Sequence, residues 1–105
     1  IRVRGKFTIY YPDRLSIGKN VAINDNFWVD AKGGVEIGDN VLIGPYVIIH
    51  SANHKFTLRS VPIREQKHTL SKVLIEEGVW LGARVTILPG VASVALPRGI
   101  RKFRP

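Results

Sequence analysis

The chain of 105 residues carries three histidines, His50, His54 and His68, and no cysteine. Without cysteine there is no thiolate nucleophile and no disulfide framework. What remains for chemistry near neutral pH is imidazole, whose unperturbed pKa of ~6.5 lets it take up and release a proton. Spacing alone gives His54, at the edge of a patterned segment, the reading of a solvated surface residue. Three imidazoles also bring zinc to mind, because open zinc sites use three protein ligands. The choice depends on the elements that hold these side chains.

Those elements are announced by a period of six. Aliphatic residues recur at Ile17, Ile23 and Val29, then Ile37, Ile43 and Ile49, then Ile75, Leu81 and Ile87. Four residues after most of them stands a second apolar residue: Val21, Phe27, Val41, Val47, Val79, Val85 and Val91. A glycine follows the leading position at Gly18, Gly38, Gly44 and Gly82. Helices repeat at 3.6 and alternating strands at 2, so neither produces a six. A short flat strand followed by a tight corner does, with both aliphatics inside and glycine letting the chain turn. Three such units close a triangular coil, and Val3, Phe7 and Ile9 read as an earlier coil in the same phase. The expected fold is all-β: a left-handed parallel β-helix of about three coils over residues 1–92. The bias to isoleucine and valine suits stacking, since their restricted rotamers cost little to order.

The hexads stop after Ile49 and resume at Ile75, which predicts a loop extruded over residues 54–72. Structureless insertions of that length are usually functional or disordered. This one holds Phe56, Leu58, Val61, Ile63 and Leu70, which a free linker would not need, so it is expected to lie on a neighbouring subunit. The next leading position, residue 93, is serine. Residues 93–105 are therefore expected to form a basic tail without repeats, in which Val94, Leu96, Ile100 and Phe103 could cover the open end.

The net charge of +8 sits at the ends. Arg2, Arg4 and Lys6 crowd one terminus and Arg98, Arg101, Lys102 and Arg104 the other, leaving nine basic and eight acidic side chains between. A nucleic-acid surface needs a basic stripe on the folded face, which this pattern lacks. Apolar runs are only a few residues long, so no membrane insertion is expected, and a cytoplasmic location fits. There is no methionine, even at position 1, so either a start residue was removed or the chain is a fragment.

Several segments together resemble the hexapeptide-repeat O-acetyltransferases, a family of maltose, galactoside and polysaccharide-sugar acetyltransferases. They are Ile37-Gly38-Asp39-Asn40-Val41-Leu42-Ile43-Gly44-Pro45, Ser51-Ala52-Asn53-His54, Val79-Trp80-Leu81-Gly82-Ala83 and Ile87-Leu88-Pro89-Gly90-Val91. Pro62-Ile63-Arg64-Glu65-Gln66 with His68 resembles the polysaccharide-sugar branch most. The resemblance covers about residues 15–92. It implies acetyl-CoA as co-substrate, a sugar or similar hydroxyl acceptor, a homotrimer with sites between subunits, and no metal. Carried over residue by residue, His54 matches the general base. Asn24, thirty residues earlier, matches an asparagine that contacts the acceptor hydroxyl. Where the galactoside branch has an acceptor-binding aspartate this chain has Lys32, and Asp30 is the nearby substitute. Trp80 matches a tryptophan near the pantetheine arm, and the backbone of Gly82 and Ala83 would line the same channel.

The family continues past Val91 with further coils that meet the nucleotide of CoA, so the resemblance implies a chain truncated at its C-terminal end. That leaves a catalytically silent β-helix trimer as the alternative. A second alternative is the γ-type carbonic anhydrase, which holds zinc with three histidines on this fold.

Overall fold

The computed structural model describes residues 1–54, 60–62, 65, 68–89 and 93–95. Val91, Phe56, Leu58 and Ile63, with the expected cap residues Leu96, Ile100 and Phe103, lie outside them. So do Gly90, Arg64, Gln66 and the C-terminal basic cluster. Strands β1 (Arg2–Val3) and β2 (Phe7–Tyr10) begin the coil. A first full turn is β3 (Leu15–Ile17), β4 (Ala22–Ile23) and β5 (Phe27–Asp30). The second is β6 (Val35–Ile37), β7 (Leu42–Ile43) and β8 (Ile48–His50). The chain then leaves as β9 (Ala52–His54) and returns as β10 (His68–Leu70). A third turn, β11 (Val73–Ile75), β12 (Trp80–Leu81) and β13 (Thr86–Ile87), follows, and β14 (Ser93–Val94) starts a fourth.

These strands make three parallel four-stranded faces. Face A is β1-β4-β7-β12, face B is β2-β5-β8-β13 and face C is β3-β6-β11-β14. The architecture is a left-handed parallel β-helix. Among the described residues no helix is long and apolar enough to cross a membrane.

The register is that of the hexads. Ile17, Ile37 and Ile75 occupy successive layers of face C. Val3, Ile23, Ile43 and Leu81 do so on face A, and Ile9, Val29, Ile49 and Ile87 on face B. Backbone bonds join the layers: Gly38 N donates to Ile75 O at 2.8 Å, and Leu42 N to Val79 O at 3.0 Å. In the inner layers the second aliphatic shares the interior, with Val21, Phe27, Val41, Val47 and Val79 all buried. Burying one such side chain is worth about 1.5–3 kcal/mol.

Two expectations change. The glycines after the leading residues do not turn the chain. At these corners the left-handed residues are instead Asn20, Asn26, Asn40, Tyr46, Gly78 and Arg84, each just before the second aliphatic. Gly38 and Gly44 are needed for close approach instead: a Cβ would lie 2.9 Å from Glu77 N and 2.8 Å from Ala83 N respectively. Second, the stack does not end at Ser93. Val94 pairs with Ile75, nineteen residues further on rather than twenty, so a corner one residue shorter carries the interior position onto a valine.

Candidate active site

The three faces meet at three corners, and the corners differ. From C to A and from A to B the chain turns through one left-handed residue in every layer, often asparagine, whose short polar side chain tolerates that conformation. Asn20 and Asn40 even bond to each other across layers, Nδ2 to Oδ1 at 3.3 Å. From B to C no rule holds. The first layer turns through Tyr11 and a 3-10 turn at Pro12–Arg14, the second through Ala31 to Gly34, and the third opens into β9 and β10.

Ser51 fixes that opening. It is fully buried, its Oγ donates to Asp30 O at 2.6 Å, and Gly33 N donates to Ser51 Oγ at 2.9 Å. Ser51 N also donates to Asp30 O at 3.1 Å, and Ser71 N donates to Ser51 O at 2.8 Å. A Cβ on Gly33 would collide with the Ser51 carbonyl, so glycine is required there. From this anchor β9 and β10 run antiparallel, pairing Ala52 with Leu70, Asn53 with Thr69 and His54 with His68. The excursion thus starts two residues before the expected 54, and its base is a paired ribbon.

The candidate residues fall into two groups. Asn24, Trp80, Gly82 and Ala83 lie along face A and its corner with face B. Asn24 is half-buried, with Nδ2 donating to Ile43 O at 2.9 Å, so part of its amide is committed to the stack. It stands in the column that the next layers fill with Gly44 and Gly82. Trp80 is 63% exposed on the outer side of face A, opposite Leu42. Gly82 has open space where a Cβ would be, and Ala83 is exposed. Asp30 and His54 belong to the other corner, beyond face B. Asp30 is half-buried and its Oδ1 accepts from Lys32 N at 3.1 Å, which stabilises the turn. The four residues of β5 between the corners span roughly 13 Å. One chain does not bring the two groups together.

His50 is a separate case. Its ring centroid is 4.8 Å from that of Trp28, which in turn is 5.6 Å from Tyr10. With Asn26, Tyr46 and Ile48, Trp28 and His50 line a shallow cleft of about 280 Å³ on face B. A larger cleft of about 530 Å³ lies on face C, but none of the candidate residues lines it.

The sequence reading missed the pairing of His54 with His68 and the anchoring by Ser51. A signal was present: Ser51-x-x-His54 is mirrored by His68-x-x-Ser71, as antiparallel pairing about one centre requires.

A triangular parallel coil with one corner opened into a histidine-bearing ribbon defines a left-handed parallel β-helix protein. The chain is homologous to the hexapeptide-repeat O-acetyltransferases. It is 38% identical over 76 residues to a galactoside O-acetyltransferase of Lactococcus lactis, covering 70% of this chain and 35% of that protein. It is 36% identical over 93 residues to a putative lipopolysaccharide biosynthesis O-acetyl transferase of Escherichia coli, covering 82% and 44%. Nodulation protein L of Rhizobium meliloti is 34% identical over 90 residues, covering 85% and 48%. The chain thus spans less than half the length of these curated relatives. No family model matches. Among solved structures, the N-acyltransferase AntD of Bacillus cereus, in complex with dTDP and 3-hydroxybutyryl-CoA, shares the fold with a TM-score of 0.59 at 23% identity, covering 84% of this chain and 60% of that one.

Proposed function

We propose that this chain carries the reacting corner of an acetyl-CoA-dependent O-acetyltransferase that acts on a sugar or similar hydroxyl compound, with His54 as general base. The observation that carries this is the position of His54. It ends β9, on a ribbon base pinned by buried Ser51, in a chain homologous to O-acetyltransferases. In this reading His54 accepts the proton of the acceptor hydroxyl as its oxygen attacks the thioester carbonyl. When the tetrahedral intermediate collapses to the acetyl ester, the C–S bond breaks and His54 returns the proton to the departing sulfur. Such acid–base help is typically worth ~10²–10⁴-fold. Trp80 and the open backbone at Gly82 and Ala83 offer the pantetheine arm a lane along face A. Asn24 and Asp30 are assigned to the acceptor.

The two groups lie on different corners, so the site is assembled by a homotrimer. The outer sides of the faces support this. Face A presents Ala22, Leu42 and Trp80, and face B presents Trp28 and Ile48 between Thr8 and Thr86, whereas face C presents Ser16, Glu36 and Leu74 beside Lys72. A head-to-tail ring sets face A of one copy against face B of the next. The His54 corner of one copy then approaches Trp80 of its neighbour.

The test is release of free CoA from acetyl-CoA in the presence of hydroxyl acceptors, compared with His54→Ala. The reading expects acceptor-dependent release that falls at least ~10²-fold in the variant. Undiminished turnover would remove His54 from the reaction.

A further inference from the structure

The reaction proposed above leaves the cleft on face B without a role. Trp28 and Ile48 are neighbours on the outer side of that face, and Asn26, Tyr46 and His50 line the cleft with them. Trp28 is braced from two sides, its ring 5.6 Å from that of Tyr10 and 4.8 Å from that of His50. Tyr46 is the odd residue of its corner. Its φ of 59° is a left-handed conformation that Asn20, Asn26 and Asn40 also take, but that strains a bulky side chain. Such strain persists where the surroundings impose it, and it clusters at functional sites. The guanidinium of Arg84 sits over the Tyr46 ring, 5.4 Å from its centroid, and holds it in place.

Indole offers a flat apolar surface, while amide, phenol and neutral imidazole each donate and accept hydrogen bonds. A pyranose matches both. One side of its ring is a sheet of C–H bonds, and its hydroxyls, which also donate and accept, radiate from the rim. The described lining holds no carboxylate, lysine or arginine, which favours a neutral ring over a charged group.

We propose that the face-B cleft is a saccharide subsite, in which a pyranose ring stacks on Trp28 and bonds through its hydroxyls to Asn26, Tyr46 and His50. His50 ends β8, beside the corner where the ribbon leaves, whereas Asn26 and Tyr46 stand at the far corner. A ring in the cleft therefore lies next to the reacting corner and not at it. The acceptor is then a chain of linked sugars rather than a free monosaccharide, one ring offering its hydroxyl to His54 and the next lying on Trp28. Only this extension to the acceptor rests on His54 as the base. Where copies assemble face A to face B, the competing occupant of the cleft is the neighbour's Trp80.

The experiment is calorimetric titration of the whole chain with cellobiose, maltose, lactose and uridine, without acetyl-CoA. At least one disaccharide should bind and uridine should not. Trp28→Ala should weaken that binding at least ~10-fold, and Tyr46→Asn about 5-fold, for the loss of one hydrogen bond. Asparagine suits the left-handed corner, so Tyr46→Asn keeps the fold even if Trp28→Ala does not. Lys72→Ala, altered on face C, should bind as the parent does. Equal binding by the parent and Tyr46→Asn would overturn the subsite, as would an equal loss in Lys72→Ala or a preference for uridine. A parent that binds no disaccharide, with a Trp28→Ala chain that loses only its oligomeric state, would give the cleft to the neighbour's Trp80 and overturn it too. His54→Ala should bind the disaccharide as the parent does while losing CoA release, so failure of the base and failure of the subsite read differently.

Discussion

The C-to-A and A-to-B corners repeat the same solution in each layer, whereas the B-to-C corner solves its turn differently every time. At the first two, one left-handed residue and one stacked column suffice, because the neighbouring layers dictate the path. At the third, the chain is free to vary its length between layers without breaking the register of the faces. Ile37 and Ile75 remain partners although the ribbon lies between them. The lesson is that a β-helix can lengthen one corner and leave its core unchanged, and it is there that a reactive group can be set.

If that contrast holds, substitutions should sort by layer and corner. The largest expected effect is in the stack. Ile37 is 1% exposed between Ile17 and Ile75, so Ile37→Ala should cost about 2–5 kcal/mol in denaturant unfolding. Next come the glycines, which compare a covered layer with an open one. Gly44→Ala drives a Cβ to 2.8 Å from backbone and should destabilise by about 1–3 kcal/mol, while Gly82→Ala meets nothing within 4 Å and should be close to neutral. Equal effects would contradict the stacking. At the variable corner, Ser51→Ala leaves Gly33 N without its acceptor and should cost about 1–3 kcal/mol. Hydrogen exchange should show that loss concentrated at β9 and β10, with the first two corners unaffected. Smallest is Lys72→Ala. Its 3.2 Å bridge to Glu36 is largely exposed, so the unfolding midpoint should move by less than about 1 kcal/mol.

The same contrast explains what could be read from the residues. The spacing from Ile17 to Ile37 gave the coil, its three faces and the register, because every layer repeats the same steric demand. The role of the glycines was misread, because close approach between layers and left-handed turning both favour glycine, and the glycines with positive φ at hexad corners are Gly5 and Gly78, neither directly after a leading aliphatic. Val94 was read as a residue covering the open end and not as the next layer, because a corner shortened by one residue breaks a strict count without breaking the stack. At the ribbon the period vanishes altogether. His54 was found through motif resemblance, and its partner His68 only through pairing in space. Asn24 and Trp80 entered as candidates through the same resemblance, and their separation from His54 by the width of face B is a property of the triangle, invisible to a linear pattern.

That separation makes subunit sharing the account's central claim, and mixing of inactive chains tests it most directly. His54→Ala and Trp80→Ala chains, each impaired alone, should be unfolded together, refolded and assayed for CoA release. If each site takes His54 from one copy and Trp80 from the next, random mixing restores about a quarter of the parent rate. A mixture no more active than its components would mean that the reacting groups come from a single chain, and the shared site would have to be abandoned.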